Sequence, residues 1–232
     1  MSRDLYVSMA GASAAWTQIE VVANNLANAS TAGFKQQRVA FDLQAAMADP
    51  LGEVYVGTEP VSPDFSDGAL MHDQVDTHLA LRGRGFFLAG SGAGQTLVRA
   101  GTFRLDSEGY LVTQAGQQVQ GQSGPIQLEP GQKLQVGADG TLLDQDGAEI
   151  DRLRIVDGTA LTALGGTSWR AQGPVFEVEG VAVVQGALEA SNTDPMRSMT
   201  ELMEASRYFE AYQKAMQTSD SLDGQLNQMI GG

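Results

Sequence analysis

The residues best suited to chemistry in this chain are its two histidines and the acidic side chains between them. His72, Asp73, Asp76 and His78 lie close together in sequence, and imidazole and carboxylate groups are common metal ligands. Their spacing lacks the i, i+4 histidine pair that would place two ligands on one face of a helix. We therefore interpret them as polar residues of a turn and a strand, and we predict no metal site.

Other catalytic arrangements fail because the residue types that they need are missing. The chain has no cysteine, which excludes a thiol nucleophile, a disulfide and a cysteine-ligated zinc ion. No G-x-S-x-G nucleophile elbow occurs. The run SGAGQT at residues 91–96 lacks the lysine and hydroxyl of a phosphate-binding loop, so it predicts a hairpin turn. We predict no catalytic residue and no cofactor, and we expect that the protein is not an enzyme.

Composition and charge narrow the class of partner. Of 232 residues, 42% are apolar, 28 are glycine and 7 are proline, which is typical of a folded protein with many tight turns. The formal charge of −14 argues against nucleic acid and anionic membrane surfaces as partners. No apolar stretch is long enough for a membrane span or a secretory signal. We expect no membrane insertion, and export, if it occurs, without a cleaved signal peptide.

The elements that remain to be explained are two amphipathic helices, the first over residues 4–28. Its apolar residues recur every three or four positions, close to the 3.5-residue period of coiled coils. Gly11 weakens this helix by roughly 1 kcal/mol relative to alanine, so the stripe needs a partner to be stable. The stripe consists of Leu5, Met9, Ala12, Trp16, Ile19, Val22 and Leu26.

A second helix is predicted over residues 195–230. Asn192 and Asp194 are good helix-capping residues, and Pro195 suits the first helical turn. At 1.5 Å per residue the helix would be roughly 50 Å long, too long for a body of this size to bury alone. Its apolar stripe consists of Met199, Leu202, Phe209, Tyr212, Met216, Leu222, Leu226 and Met229.

Between the helices, short apolar runs separated by glycines predict a β-rich body. Two of its segments are similar at an offset of 31 residues: FRLDSEGYLVTQAGQQV from Phe103, and LQVGADGTLLDQDGAEI from Leu134. Each has an acidic residue followed by a glycine at a turn, and a second glycine seven residues later. We predict two similar hairpins in one β domain.

Together these patterns predict an α+β fold. The two helices would form a coiled-coil-like terminal domain, and the strands and hairpins would form a central β-rich domain. The expected divisions are the N-terminal helix and turn at 1–33, an extended connector at 34–75, the β-rich body at 76–190 and the C-terminal helix at 191–232.

The stretch ANNLANASTAGFK at residues 23–35 is more elaborate than a simple helix end requires. Asparagine is a poor residue for a helix interior but bonds locally to the backbone, and glycine permits a positive φ. Phe34 would anchor the chain as it leaves the turn. The candidate turn residues are Asn24, Asn25, Asn28, Thr31, Gly33, Phe34 and Lys35.

This stretch resembles the N-terminal signature of the flagellar rod and hook family, in which an asparagine-rich turn precedes a T-x-G-F/Y-K-like sequence. Many members have proline before the glycine, where this chain has Ala32. Residues 82–116 resemble the central G-x-G-F-F…R-x-G-x-F…G-x-L-V-T block of the family. Residues 185–220 resemble its C-terminal G-x-L-E-x-S-N block and helix. The three blocks occur in the family's order and cover both ends and the middle of the chain.

The resemblance implies a structural subunit of the flagellar basal-body rod, the periplasmic shaft that transmits torque. It implies a terminal helical domain that packs against other copies and adjacent rod proteins, and delivery by the flagellar type III export apparatus. The C-terminal block resembles the proximal rod members most; the distal rod protein is the alternative, and the short chain disfavours the hook protein. From a different class, a monomeric binding module or hydrolase built on the β-rich body would leave both helical stripes unexplained.

Overall fold

Two long helices stand at the two ends of the described sequence: α1 (Arg3–Ala27) and α2 (Pro195–Ile230). The structure is a computed structural model that describes residues 3–39, 41–45, 54–58, 61–129, 132–144 and 146–230. The strands between the helices are β1 (Gln37–Arg38), β2 (Phe41–Ala45), β3 (Val54–Thr58), β4 (Ser62–Pro63), β5 (Leu70–His72), β6 (Leu79–Arg82), β7 (Phe86–Ala89), β8 (Thr96–Val98), β9 (Arg104–Leu105), β10 (Leu111–Val112), β11 (Gln135–Val136), β12 (Thr141–Leu143), β13 (Glu149–Arg152), β14 (Ile155–Gly158), β15 (Leu161–Gly165), β16 (Ser168–Ala171), β17 (Val175–Glu177), β18 (Ala182–Gln185) and β19 (Ala187–Glu189).

The chain divides into two compact units, which we describe separately. As far as their residues are described, the first comprises Met1–Ala27, Gln36–Asp64 and Thr193–Gly232, and the second comprises Asn28–Lys35 and Phe65–Asn192. The α+β class with a central β-rich region is therefore confirmed. The domain boundaries expected from the sequence, and the coiled-coil-like pairing of the helices, stay predictions.

In the first unit, α1 and α2 pack against each other. The start of α2 follows the predicted capping pattern, because Asp194 Oδ1 accepts hydrogen bonds from the backbone N–H groups of Met196 (2.9 Å) and Arg197 (3.2 Å). Two short antiparallel ladders complete the unit: β1 pairs with β4, and β2 pairs with β3.

In the second unit, the largest sheet has six strands in the order β15-β16-β8-β7-β14-β17, and each adjacent pair is antiparallel. The residues 91–96, predicted as a hairpin turn, connect the antiparallel strands β7 and β8 through a short 3-10 helix at Gly92–Gly94. Smaller ladders pair β5 with β19, β6 with β18, β9 with β10, and β11 with β12 and β13.

Two apolar clusters hold the second unit together. Alternate side chains of a strand point to opposite faces of the sheet, and β7 accordingly contributes to both clusters. The larger cluster contains Leu79, Leu81, Phe87, Phe103, Leu111, Val119, Ile126, Leu128, Leu134, Leu142, Leu153, Ile155 and Val183. The smaller contains Phe86, Leu88, Leu97, Val156 and Trp169, with Phe65 edge-on to the rings of Phe86 and Trp169.

The two similar segments form equivalent hairpins, as predicted. Leu111 stands opposite Leu105 in the first, and Leu142 stands opposite Val136 in the second, which preserves the 31-residue offset. The turn glycines Gly109 and Gly140 both have φ of +85°, a conformation that favours glycine. Leu111 and Leu142 are both fully buried in the larger cluster, so the repeat is one of packing as well as of backbone.

Candidate assembly interface and buried ionic network

The contact between the helices is built around small residues of α1. A Cβ atom at Gly11 would overlap the ring of Tyr212, so the absence of a side chain lets the two helices approach closely. Ala12, Ala15 and Ala205 are also buried. Glycine therefore costs helix propensity at this position but permits the contact.

The predicted apolar stripes are only partly used in this contact. Trp16 packs on Phe209 with ring centroids 5.5 Å apart, and its indole N–H donates to Glu20 Oε1 at 2.9 Å. Of the predicted interface residues of α1, Val22 is buried, Ile19 and Leu26 are half-buried, and Met9 and Trp16 are 51% and 50% exposed.

The predicted apolar stripe of α2 is likewise only partly buried. Leu202, Phe209, Tyr212 and Met216 are half-buried, and Met199 is exposed. Leu5, Leu226 and Met229 occupy helical positions whose side chains are outside the described part of the structure. Large apolar side chains that the pair leaves exposed are Val7, Met9, Trp16, Met196, Met199, Met203, Tyr208 and Leu222.

Asn25, the second asparagine of the signature, is buried. Its side-chain amide hydrogen-bonds to the backbone of Gln37 in the way that a neighbouring strand would. Its Nδ2 donates to the carbonyl oxygen of Gln37 at 2.8 Å, and its Oδ1 accepts from the backbone N–H of Gln37 at 2.8 Å. One asparagine amide can satisfy both backbone groups of a residue, because it carries one donor group and one acceptor. This pair of bonds ties the end of α1 to β1. Asn24 is exposed and Asn28 is half-buried.

The turn after α1 explains the next signature residues. The backbone N–H groups of Thr31 and Phe34 donate to the carbonyls of Asn28 (3.0 Å) and Thr31 (3.2 Å), and Thr31 Oγ1 lies 3.3 Å from Asn28 Oδ1. Gly33 has φ of +71°, and a Cβ there would lie 2.6 Å from the backbone nitrogen of Ala100. Both the backbone conformation and the close approach therefore require glycine. Phe34 is buried, as an anchor would be.

Lys35, the last signature residue, lies in a buried ionic network. Its Nζ donates to Glu189 Oε1 at 2.7 Å and to the carbonyl oxygen of Ser66 at 2.6 Å. Glu189 Oε1 also accepts from the backbone N–H of Gly68 at 2.8 Å. The side chains of Lys35 and Glu189 are almost completely excluded from solvent. Charged groups are buried in proteins only when they are paired and hydrogen-bonded, as these are.

Arg99 completes the network and uses every donor of its guanidinium group. Its Nε donates to Glu189 Oε2 at 2.5 Å, while one terminal nitrogen donates to the carbonyls of Gly83 (2.8 Å) and Gly85 (2.6 Å). The other donates to Asp67 Oδ1 and the carbonyl of Leu81, both at 3.2 Å. Guanidinium has five N–H donors, so Arg99 is fully satisfied although 2% exposed.

The pKa directions follow from this geometry. Burial lowers the pKa of Lys35 below its usual value; the bond to Glu189 opposes that change and the charge of Arg99 adds to it. For Glu189, burial acts to raise the pKa, but the hydrogen bonds and charges of Arg99 and Lys35 together outweigh it, and the pKa is lowered. The carboxylate is therefore ionised in the folded protein at neutral pH.

The network joins three blocks that are far apart in sequence. Lys35 belongs to the N-terminal signature, Arg99 to the central block and Glu189 to the C-terminal block. In addition, the backbone N–H of Gly33 donates to the carbonyl oxygen of Glu189 at 2.7 Å. The segment that follows α1 in sequence and the segment that precedes α2 are thus fixed to each other.

Sequence reasoning missed Arg99 and Glu189 as site residues. A signal was available, because each is a charged residue flanked by small or apolar residues, in LVRAG and GALEA. A charge in or directly after a strand that is otherwise suited to burial indicates a buried pair, although it does not identify the partner.

The histidine and carboxylate group does not gather into a metal-binding arrangement: among the described residues, no cluster of three or more histidines and carboxylates could hold a metal ion. His78 Nδ1 lies 2.5 Å from Asp73 Oδ2, and this hydrogen bond is the main reason that the pKa of Asp73 is lowered. In the same described part of the chain, neither helix has an apolar stretch that could cross a membrane.

Comparison with known families agrees in all three blocks. The profile described as "Flagella basal body rod protein" matches residues 5–35, and that of the "Flagellar hook protein FlgE/F/G D1 domain" matches residues 80–151. The profile described as "Flagellar basal body rod FlgEFG protein C-terminal" matches residues 184–229.

Whole-length relatives lead to the same result. The chain is 30% identical to the flagellar basal-body rod protein FlgF of Caulobacter vibrioides over 249 residues, covering 100% of this chain and 99% of the relative. It is 28% identical to the FlgF of Escherichia coli over 254 residues, covering 99% of each. It is 31% identical to the rod protein FlgG of Bacillus subtilis over 256 residues, covering 96% of this chain and 97% of the relative. The chain belongs to the flagellar basal-body rod protein family, as a FlgF-like structural subunit and not an enzyme.

Proposed function

We propose that this subunit assembles with copies of itself and with adjacent rod proteins through the outward faces of α1 and α2. The observation that carries the proposal is the set of large apolar side chains that the helix pair leaves exposed, among them Met9, Trp16, Met199 and Met203. Burial of an apolar side chain of this size contributes about 1.5–3 kcal/mol. Met196, Met199 and Met203 recur at three- and four-residue spacing, so they lie on one side of α2, and an exposed apolar patch of this kind marks an interaction surface.

The proposal includes the finer features implied by the family. The helices of neighbouring subunits pack in a coiled-coil-like manner, and the assembled rod spans the periplasm as a torque-transmitting shaft. The subunit reaches it through the flagellar type III export apparatus, without a cleaved signal peptide. The FlgF relatives favour the proximal part of the rod, whereas the 31% identity to a FlgG favours the distal part as the alternative.

Swimming assays in a strain that lacks the gene test the proposal. Met203→Glu places a charge on the exposed face of α2 and is expected to abolish swimming, while Met203→Leu should retain it. Ile150→Glu, at an exposed position of β13, is the matched control on the β-rich unit and should also swim. Met203→Glu should be folded when purified, yet absent from isolated basal bodies. Normal incorporation and swimming of this variant would contradict the proposal.

A further inference from the structure

The six-stranded sheet of the second unit ends in two open edges, at β15 and β17. In the described part of the chain each of these strands pairs with a single neighbour, β16 and β14 respectively. An unpaired edge presents a row of free backbone N–H and C=O groups, which is a template for pairing with another chain. Natural proteins usually cover or interrupt such edges. The ladder of β15 with β16 has one register shift, between Ala163 and Gly165, so its regular part is Leu161–Ala163.

The hydrogen-bond register shows which backbone groups are free. The N–H of Val178 donates to the carbonyl of Ile155, so Phe176 and Val178 direct their backbone groups to β14, and Val175 and Glu177 direct theirs outward. On the opposite edge, the N–H of Gln172 donates to the carbonyl of Ala160. By the same alternation, the backbone groups of Leu161 and Ala163 point away from the sheet.

Both edges also expose apolar side chains. Phe176 on β17 is 50% exposed and Val175 is exposed beside it, and Leu164 on β15 is exposed. Aromatic and branched side chains of this kind stabilise cross-strand pairs. The edges thus offer side-chain contacts in addition to backbone hydrogen bonds.

The β15–β16 hairpin and the segment around β17 carry charged residues of opposite sign. The hairpin at residues 161–171 contains a single charged residue, Arg170, which is exposed and forms no ion pair with any described residue. Residues 174–180 contain two, Glu177 and Glu179, both exposed and both acidic, and Glu177 pairs with Arg154 at 3.1 Å. Pairing β17 with β17 of another copy would bring these carboxylates together, whereas pairing it with β15 would place them one strand away from Arg170, which lies on β16.

The strand count fits this pairing. Because the sheet has six strands and every neighbouring pair is antiparallel, β15 and β17 run in opposite directions. A second copy in the same orientation would therefore continue the sheet with β15 antiparallel to β17. Such a head-to-tail contact uses two different surfaces, and it generates a helical filament when it does not close into a ring.

We infer that β17 of one subunit pairs with β15 of the next copy, so that the sheet continues from subunit to subunit. The inference rests on the proposed self-assembly, and it adds a contact between β-rich units to the contact between helices.

Cysteine cross-linking tests this contact, since the natural chain has no cysteine. Ala163→Cys and Val175→Cys are made singly and together, and the purified full-length chains are treated with a short bismaleimide. We expect a heterodimer only when the two single variants are mixed, and a ladder of oligomers from the double variant. Glu108→Cys, in an exposed hairpin turn, replaces Ala163→Cys as the control and should give no product with Val175→Cys.

Charge reversal identifies the pairing. Glu179→Lys or Arg170→Glu alone should reduce the cross-linked fraction several-fold, and the two together should restore it. Equal yields in all of these variants, or products from one single variant alone, would overturn the inference.

The same treatment in flagellated cells separates this inference from the proposed function. A double-cysteine chain that is present in isolated basal bodies but yields no ladder would overturn the sheet contact and leave the rod function intact. The proposed function would instead be contradicted if neither the variants nor the cysteine-free chain, all with intact helices, were present in basal bodies.

Discussion

At the scale of single residues, the signature of this chain is explained by burial and hydrogen bonding. Asn25, Gly33 and Lys35 each occupy a position that few other side chains could fill. Asn25 satisfies both backbone groups of Gln37, Gly33 combines a positive φ with a close backbone approach, and Lys35 neutralises a buried carboxylate. The residues that identify the family in the sequence therefore maintain the path of the chain between the two helices.

The ionic network gives the first prediction. Glu189→Gln removes the carboxylate that pairs with both Lys35 and Arg99, and it leaves their charges buried without that compensation, which typically costs about 3–5 kcal/mol. We expect this loss in the free energy of unfolding, measured by urea denaturation of the purified chain. Glu177→Gln, which breaks the exposed pair between Arg154 and Glu177, is the control and should cost less than about 1 kcal/mol. An equally small change for Glu189→Gln would show that the network does not stabilise the fold.

The same network makes stability depend on pH. The pKa of Glu189 is lower in the folded than in the unfolded chain, so the unfolded state binds the proton more tightly. The stabilising effect is present above the ordinary glutamate pKa of about 4.3, and it is lost as the pH falls through the folded-state value. The free energy of unfolding of the wild type should therefore decrease more steeply below about pH 4.3 than that of Glu189→Gln.

The sequence identified Lys35 but not its partners, for a physical reason. Lys35 and Glu189 are 154 positions apart, and no periodic pattern relates residues at such a separation. A buried charge can be suspected from its apolar neighbours, but the pairing depends on which strands meet.

At the scale of elements, local sequence patterns predicted which helices and hairpins form, but they did not predict which elements pack against each other. Helical spacing of apolar residues and, for the second helix, capping residues predicted both helices, and the turn glycines predicted the repeated hairpins, because these signals act within one segment. The contact between the helices is different: Gly11 lies against Tyr212, and Ala12, Ala15 and Ala205 are buried, whereas Met9 and Trp16 remain half-exposed. Hydrophobicity alone predicts that the larger side chains lie between the helices. The close approach of the two helices depends instead on small side chains.

The second prediction concerns the contact of Gly11 with Tyr212. In an isolated helix, Gly11→Ala should stabilise by about 1 kcal/mol through helix propensity. In this chain the added methyl group would overlap the Tyr212 ring, so we expect no gain or a loss of stability. In the background of Tyr212→Ala the stabilisation should reappear. Thermal unfolding of the wild type, the two single variants and the double variant is followed by circular dichroism at the helical wavelength. Additive effects of the two substitutions on stability would exclude the close contact.

At the scale of the whole molecule, the family and the α+β class could be predicted from the sequence, whereas the six-stranded order could not. In that sheet β14 lies between β7 and β17, and β16 lies beside β8. These pairings join distant segments, and strands of similar composition could pair in many other orders. The association of Gln36–Asp64 with the helices in one compact unit is likewise set by long-range packing and has no local signal.

The last prediction concerns the subunit before assembly. The helix pair leaves many of its large apolar side chains exposed, whereas ordering each backbone residue costs on the order of 1–2 kcal/mol. The helices should therefore be the least stable part of the free subunit, and the strands β7, β8 and β14 the most stable. Hydrogen exchange of the purified chain, diluted until it is monomeric, should be fast across α1 and α2 and slow in those strands, and assembly should slow exchange in the helices. For a subunit that is exported as proposed, this difference would delay polymerisation until it meets its neighbours. Equal protection of helices and strands in the monomer would show that the helix pair is already stable, and the delay would then need another cause.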